Sequence, residues 1–263
     1  MDAQIFRLTH PNSPIRHSGY ATEPPLQRFL NECHEEFRSD NSGAVADYIP
    51  QLKEANPAHF GIGLVTIDGH VYEAGDSAVP FTIQSVSKAF VFALALELVG
   101  EERVSAAIGV EPSGDAFNSI RLTNDNRPFN PMVNAGAIAC SGLIHQVDGN
   151  AAFERVREKL SQFAGRELGV DDAVHASEAE TGNRNRAIAW LLRNYSVVQG
   201  DVDAVLDTYF RQCAILVTAR DLAAMAATLA NRGVNPLTGV QVITPHVVAR
   251  TLSVMTSSGM YDY

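Results

Sequence analysis

Apolar residues recur at helical spacing from Leu26 through Leu30 and Cys33 to Phe37, directly after Pro24-Pro25, a pair suited to the first turn of a helix. This predicts a first helix with one apolar stripe facing the core. Residues 61–67 (Gly-Ile-Gly-Leu-Val-Thr-Ile) are β-branched and apolar, Asp68-Gly69 is a two-residue hairpin signal, and residues 70–74 supply a returning strand. Beyond the hairpin the pattern is helical, over 85–99 ending at Gly100, then 135–147, 151–163, 185–194 and 202–213. Thr218 is placed to cap a helix over 219–230 closed by Gly233, and Thr244-Pro245 opens one that ends near Ser258-Gly259. Residues 1–23, which include Pro11, Ser13, Pro14 and Gly19, read as a loosely held arm. No repeat or linker divides the remainder, so 24–263 is expected to be a single domain.

An isolated two-stranded hairpin is marginal in water, and the pattern offers no third strand to support it. The chain stops at Gly259-Met-Tyr-Asp-Tyr263, directly after a helix. The expectation is a fragment lacking C-terminal strands.

Composition narrows the function classes. Among 263 residues, 46% are apolar and 19% charged, which suits a folded globular chain and excludes a disordered or collagen-like one. A formal net charge of -10 gives no electrostatic case for binding nucleic acid or an anionic membrane. The apolar run 89–96 is bounded by Lys88 and Glu97, far short of the ~18 residues a membrane span needs. Cys33, Cys140 and Cys213 are widely spaced, without CxxC pairing, and His34-Glu35-Glu36 lacks the second histidine of HExxH. The expectation is a cytoplasmic protein without metal.

The sharpest chemical signal is Ser85-Val-Ser-Lys88, opening the apolar helix. Residues three apart share a helix face, so a lysine there can deprotonate a serine if burial keeps its amine neutral. The plain alternative is that Ser85 caps the helix and Lys88 extends to solvent. The Ser-Asp-Asn and Lys-Thr-Gly elements that accompany Ser-x-x-Lys in penicillin-binding enzymes are not matched in order: Ser39-Asp40-Asn41 precedes Ser85, and none of the three lysines begins Lys-Thr-Gly. Asn134 reads as a helix cap or a ligand contact, the stretch 178–185 as a solvated turn or a polar site, and Tyr48, Tyr209 and Tyr261 as half-buried packing residues by default.

Taken together, Ala46-Asp-Tyr48-Ile-Pro-Gln-Leu, Gln84-Ser85-Val-Ser-Lys88, Glu111-Pro-Ser-Gly, Asn130-Pro-Met-Val-Asn134-Ala-Gly-Ala-Ile, Glu180-Thr-Gly-Asn-Arg-Asn185, Met225-Ala-Ala-Thr-Leu-Ala-Asn and Ser258-Gly-Met-Tyr261-Asp resemble the serine-dependent glutaminases, in that family's order. The resemblance implies a helix-rich α/β (α+β) fold of the β-lactamase/transpeptidase type, with an antiparallel sheet. It implies hydrolysis of L-glutamine to L-glutamate and ammonia without metal or organic cofactor, and a homo-oligomer, dimer or tetramer. Ser85 is implied as nucleophile and Lys88 as its base, with Tyr48 and Tyr261 at the reaction centre. Asn134, Glu178, Asn185 and Tyr209 are implied, with Ser85 and Tyr261, as substrate contacts. Family members continue past the position of Tyr261 into a Lys-Ser-Gly-Val-like segment that completes the oxyanion hole. A polypeptide ending at Tyr263 is therefore expected to turn over little or nothing. A β-lactam-acylated hydrolase and an inactive glutamine-binding fragment stand as alternatives.

Overall fold

Two helices that are buried on every side along their first ten or so residues form the centre of the molecule. The computed structural model describes residues 23–259, so Tyr261 and all but the last residue of the expected arm lie outside the described residues. Helix α3 (Ser87–Ala107) is buried continuously from Ser87 to Leu96, and α4 (Asn134–Asp148) from Asn134 to Ile144. A helix without a polar face must be surrounded. The α3 and α4 helices pack on each other; α10 (Pro245–Ser258) covers α3, while α5 (Ala152–Ala164), α7 (Asn183–Asn194) and α8 (Val202–Cys213) close around α4. Small residues in α4, among them Ala135, Ala137, Ala139 and Gly142, let these neighbours approach closely. At Gly136 a Cβ would lie 2.0 Å from the Asn130 carbonyl oxygen, so only glycine fits beneath the Asn130-Pro131 turn.

The predicted hairpin is present: β1 (Gly61–Val65) pairs antiparallel with β2 (Val71–Gly75), Gly61 opposite Gly75 and Val65 opposite Val71. Helix α1 (Pro25–Phe37) packs on β2, and α9 (Ala219–Ala230) packs on β1, so the hairpin is supported by helices. Thr218 caps α9 in a full capping box with Asp221, as its position in the sequence foretells.

The described residues also contain a second, two-stranded sheet, β3 (Phe81–Thr82) antiparallel to β4 (Leu216–Val217), which corrects the expectation of a single strand pair. Two residues are too few to show alternation, and the partners are far apart in sequence. Two short helices also escape the pattern: α2 (Pro50–Lys53) and α6 (Asp172–Thr181). The predicted stop at Gly100 is a kink, since Gly100 leaves helical geometry at φ 81° and the helix then resumes to Ala107. Ser85 does not open α3. It sits in a 3-10 turn, Gln84–Val86, just before it. The remaining helices fall within two residues of their expected ends.

Candidate active site

The ends of several elements converge on one cavity of about 300 Å³. The 3-10 turn supplies Gln84 and half-buried Ser85, the first residue of α4 supplies Asn134, and α6 supplies Glu178. Helix α7 contributes Asn185 near its start, α8 contributes Tyr209 and Cys213, and the segment before α2 contributes Tyr48. A wider groove of about 590 Å³ lies beside the hairpin and carries Glu54, His59, Asp76 and Asp171. It has no serine or cysteine on its wall, whereas the smaller cavity carries both Ser85 and Cys213.

Lys88, in the first turn of α3, is 1% exposed. Its Nζ donates to Asn134 Oδ1 at 2.7 Å and lies 5.6 Å from the centre of the Phe117 ring. Burial lowers its pKa to about 8, which leaves an appreciable neutral fraction near neutrality. Asn134 Nδ2 in turn donates to Asn185 Oδ1 at 2.9 Å. Because Asn134 must accept from the lysine, the direction of this chain is set, and it leaves the Asn185 amide hydrogens to serve the cavity.

Glu178 is buried, and among the described residues its carboxylate has neither a hydrogen bond nor an ion pair. Desolvation raises its pKa to about 7. The Cys213 thiol is pushed up to about 12, first by burial and then by the Glu178 charge, which leaves it a poor nucleophile. Burial and then Glu178 raise the Tyr48 phenol as well, so it stays protonated and can donate; its hydroxyl does so to Gln84 Oε1 at 2.9 Å.

Of the expected site residues, Ser85, Tyr48, Asn134, Glu178, Asn185 and Tyr209 share the cavity wall, and Lys88 joins them through Asn134. Tyr261 lies outside the described residues. Several plain readings are overturned. Ser85 is no cap, since the N-cap position of α3 is Val86 with no side-chain cap, and Lys88 does not reach solvent. Val133 occupies the N-cap of α4, which frees the Asn134 side chain for Lys88 and Asn185. The stretch 178–185 is a solvated turn only in part, because Glu180 and Asn183 are exposed while Glu178 is 6% exposed on α6. Tyr209 is 3% exposed, whereas Tyr48 is 56% exposed. Sequence reasoning missed Gln84, Phe117, Asn118, Arg184 and Cys213 on the wall. Gln84 adjoins Ser85 and could have been found from that alone; Phe117 and Asn118 sit in an irregular stretch without periodicity.

Residues 43–263 match the glutaminase family. Glutaminase 2 of Bradyrhizobium diazoefficiens is 82% identical over 263 residues, all of this chain and 42% of that protein. The glutaminase of Microcystis aeruginosa is 49% identical over 251 residues, 95% of this chain and 74% of that protein. The crystal structure of Mglu in its glutamate form superposes with a TM-score of 0.86 at 41% identity, covering 91% of this chain and 56% of that one. The chain thus spans about two fifths of the length of the two Bradyrhizobium glutaminases, 42% and 40%. It belongs to the glutaminase family, with its helix-rich β-lactamase-like fold.

Proposed function

We propose that the protein carrying this site hydrolyses L-glutamine to L-glutamate and ammonia through an acyl-serine intermediate on Ser85. The observation that supports it most is the buried Lys88 amine, its pKa lowered to about 8, one helical turn beyond a cavity-lining serine and hydrogen-bonded to Asn134. In this reading Lys88 takes the Ser85 hydroxyl proton as Oγ attacks the carboxamide carbon. The same proton passes to the departing nitrogen as the C–N bond breaks and ammonia leaves. A water, deprotonated by Lys88, then attacks the ester, and glutamate departs as Oγ recovers its proton.

Glu178, buried without a partner among the described residues, suits the substrate's α-ammonium, which would lower its pKa and hold it ionised. Asn185 and Tyr209 suit the α-carboxylate and carboxamide, adding donors without charge. Tyr48 and Tyr261 belong to this reading as phenols assisting proton transfer. The crystallised glutamate form of a family member, Mglu, supports an amino-acid ligand. Self-association as a dimer or tetramer and a cytoplasmic location belong to the same reading; among the described residues no helix is long and apolar enough to cross a membrane.

The test is ammonia release from glutamine and from N-acetylglutamine by the purified full-length protein that carries this site, with ligand binding followed calorimetrically. Release from glutamine alone is expected. Equal turnover of the acetylated compound contradicts the Glu178 assignment, and glutamine binding without any release identifies a binding scaffold instead.

A further inference from the structure

Gln84, immediately before Ser85, is one of four non-glycine residues with positive φ among the described residues, at 49°. A side chain in that region is strained and persists only where the surroundings enforce it. The enforcement is visible on three sides. Ser87 Oγ donates to the Gln84 carbonyl at 2.7 Å, the Gln84 side chain is held between Tyr48 and Thr82, and the neighbouring Ile83 N–H donates to the Ile215 carbonyl at 2.8 Å. Ser87 is itself held, because Gln212 Nε2 donates to its Oγ at 3.0 Å.

Gln212 and Ser87 are both fully buried, and Gln212 Oε1 has no hydrogen-bond partner among the described residues. A half-satisfied carboxamide is a poor way to stabilise a core, since apolar residues of equal size would pack there at no such cost. Its hydroxyl partner could also rotate freely without it. With Gln212 donating, the Ser87 hydrogen is directed at the Gln84 carbonyl. That carbonyl belongs to the peptide whose N–H is the amide of Ser85, so its orientation fixes both the amide direction and the departure angle of the Ser85 side chain.

We infer that Gln212 is a positioning residue for the nucleophile: acting through Ser87, it locks the Gln84–Ser85 peptide in the orientation that acylation needs. The inference rests on the glutaminase reading of the site. Helix α8 then has two tasks, presenting Tyr209 to the cavity and bracing the serine turn from behind.

The test compares Gln212→Met, Ser87→Ala and the double variant for the rate of Ser85 acylation by glutamine, for KM, and for thermal unfolding. Each single variant is expected to lower the acylation rate about tenfold or more, with KM within about twofold and unfolding temperature unchanged or higher for Gln212→Met. The double variant should be no slower than the slower single, because both interrupt one chain of hydrogen bonds. Unchanged acylation, losses that multiply, or losses that track lowered thermal stability overturn the inference. Should the unmutated protein release no ammonia, the glutaminase reading fails, and the crystal structure of Gln212→Met decides the positioning claim separately: a Gln84 peptide that has rotated supports it, and one retained at positive φ overturns it.

Discussion

Lys88 and Glu178 are two buried ionisable groups whose cost to the fold is also their use. Lys88 has its pKa lowered from 10.5 to about 8, so between these values the folded protein has released a proton that the unfolded chain still binds. Stability therefore rises with pH through that window, and below pH 8 the full cost of burying the ammonium is present. The same shift makes the amine available as a base, and kcat/KM should rise with pH to an inflection near 8. Ser85→Ala and Lys88→Met should each lower turnover by at least ~10² with the fold intact by circular dichroism. Near-normal turnover in either removes that residue from its role. Glu178 has the opposite sign. Its folded pKa is raised from 4.5 to about 7, so the folded protein keeps a proton that the unfolded chain loses, and stability falls as pH rises between those values. Glu178→Gln should stabilise the protein at pH 8 by on the order of 3 kcal/mol and add nothing below pH 4.5, while raising KM for glutamine about 10- to 100-fold. Denaturant melts at the two pH values read the first effect and steady-state kinetics the second; a variant destabilised at pH 8 would contradict the account.

At the level of elements, the site is assembled from the starts of α4 and α7, the C-terminal parts of α6 and α8 and the turn before α3, so errors in element placement translate directly into errors at the cavity. Helix α4 shows this most plainly. Asn134 is its first residue, and Gly136, two residues on, fits beneath the Asn130 carbonyl only because it lacks a Cβ. Gly136→Ala should cost about 1–3 kcal/mol through overpacking and should also lower kcat, because the start of α4 must shift and carry Asn134 away from Lys88. Gly169→Ala is the control, since a Cβ there meets nothing within 4 Å, and it should leave both stability and turnover within error. Most of these elements were legible. Helices α5, α8, α9 and α10 announce themselves by amphipathic spacing, by the Thr218 cap and by Thr244-Pro245. Short β3 and β4 carry no periodic signal and exist because two distant segments meet, while α6 has no clear apolar stripe to betray it.

At the scale of the whole molecule, two helices buried on every side over much of their length fix a centre around which the amphipathic ones arrange themselves, and the cavity lies where element ends meet. The residue types for this chemistry could be read in the chain, and motif order pointed to the family. What could be read only in part was burial. The apolar run after Lys88 points to an inward lysine, but nothing in the sequence says that Glu178 is dry while Glu180 is wet, or that the Gln84 backbone is left-handed, because each depends on contacts between segments far apart in the chain. On the proposed reading, those features give the serine a base with a lowered pKa, a selector of the substrate's charge and a fixed orientation. The central claim is that glutamine acylates Ser85. The measurement that meets it directly is acid quenching of the protein during turnover of glutamine, followed by mass spectrometry of its peptides. A glutamyl ester on the peptide containing Ser85, lost in Ser85→Ala, is the predicted result; ammonia release with no adduct, or with the adduct on Cys213, would contradict it.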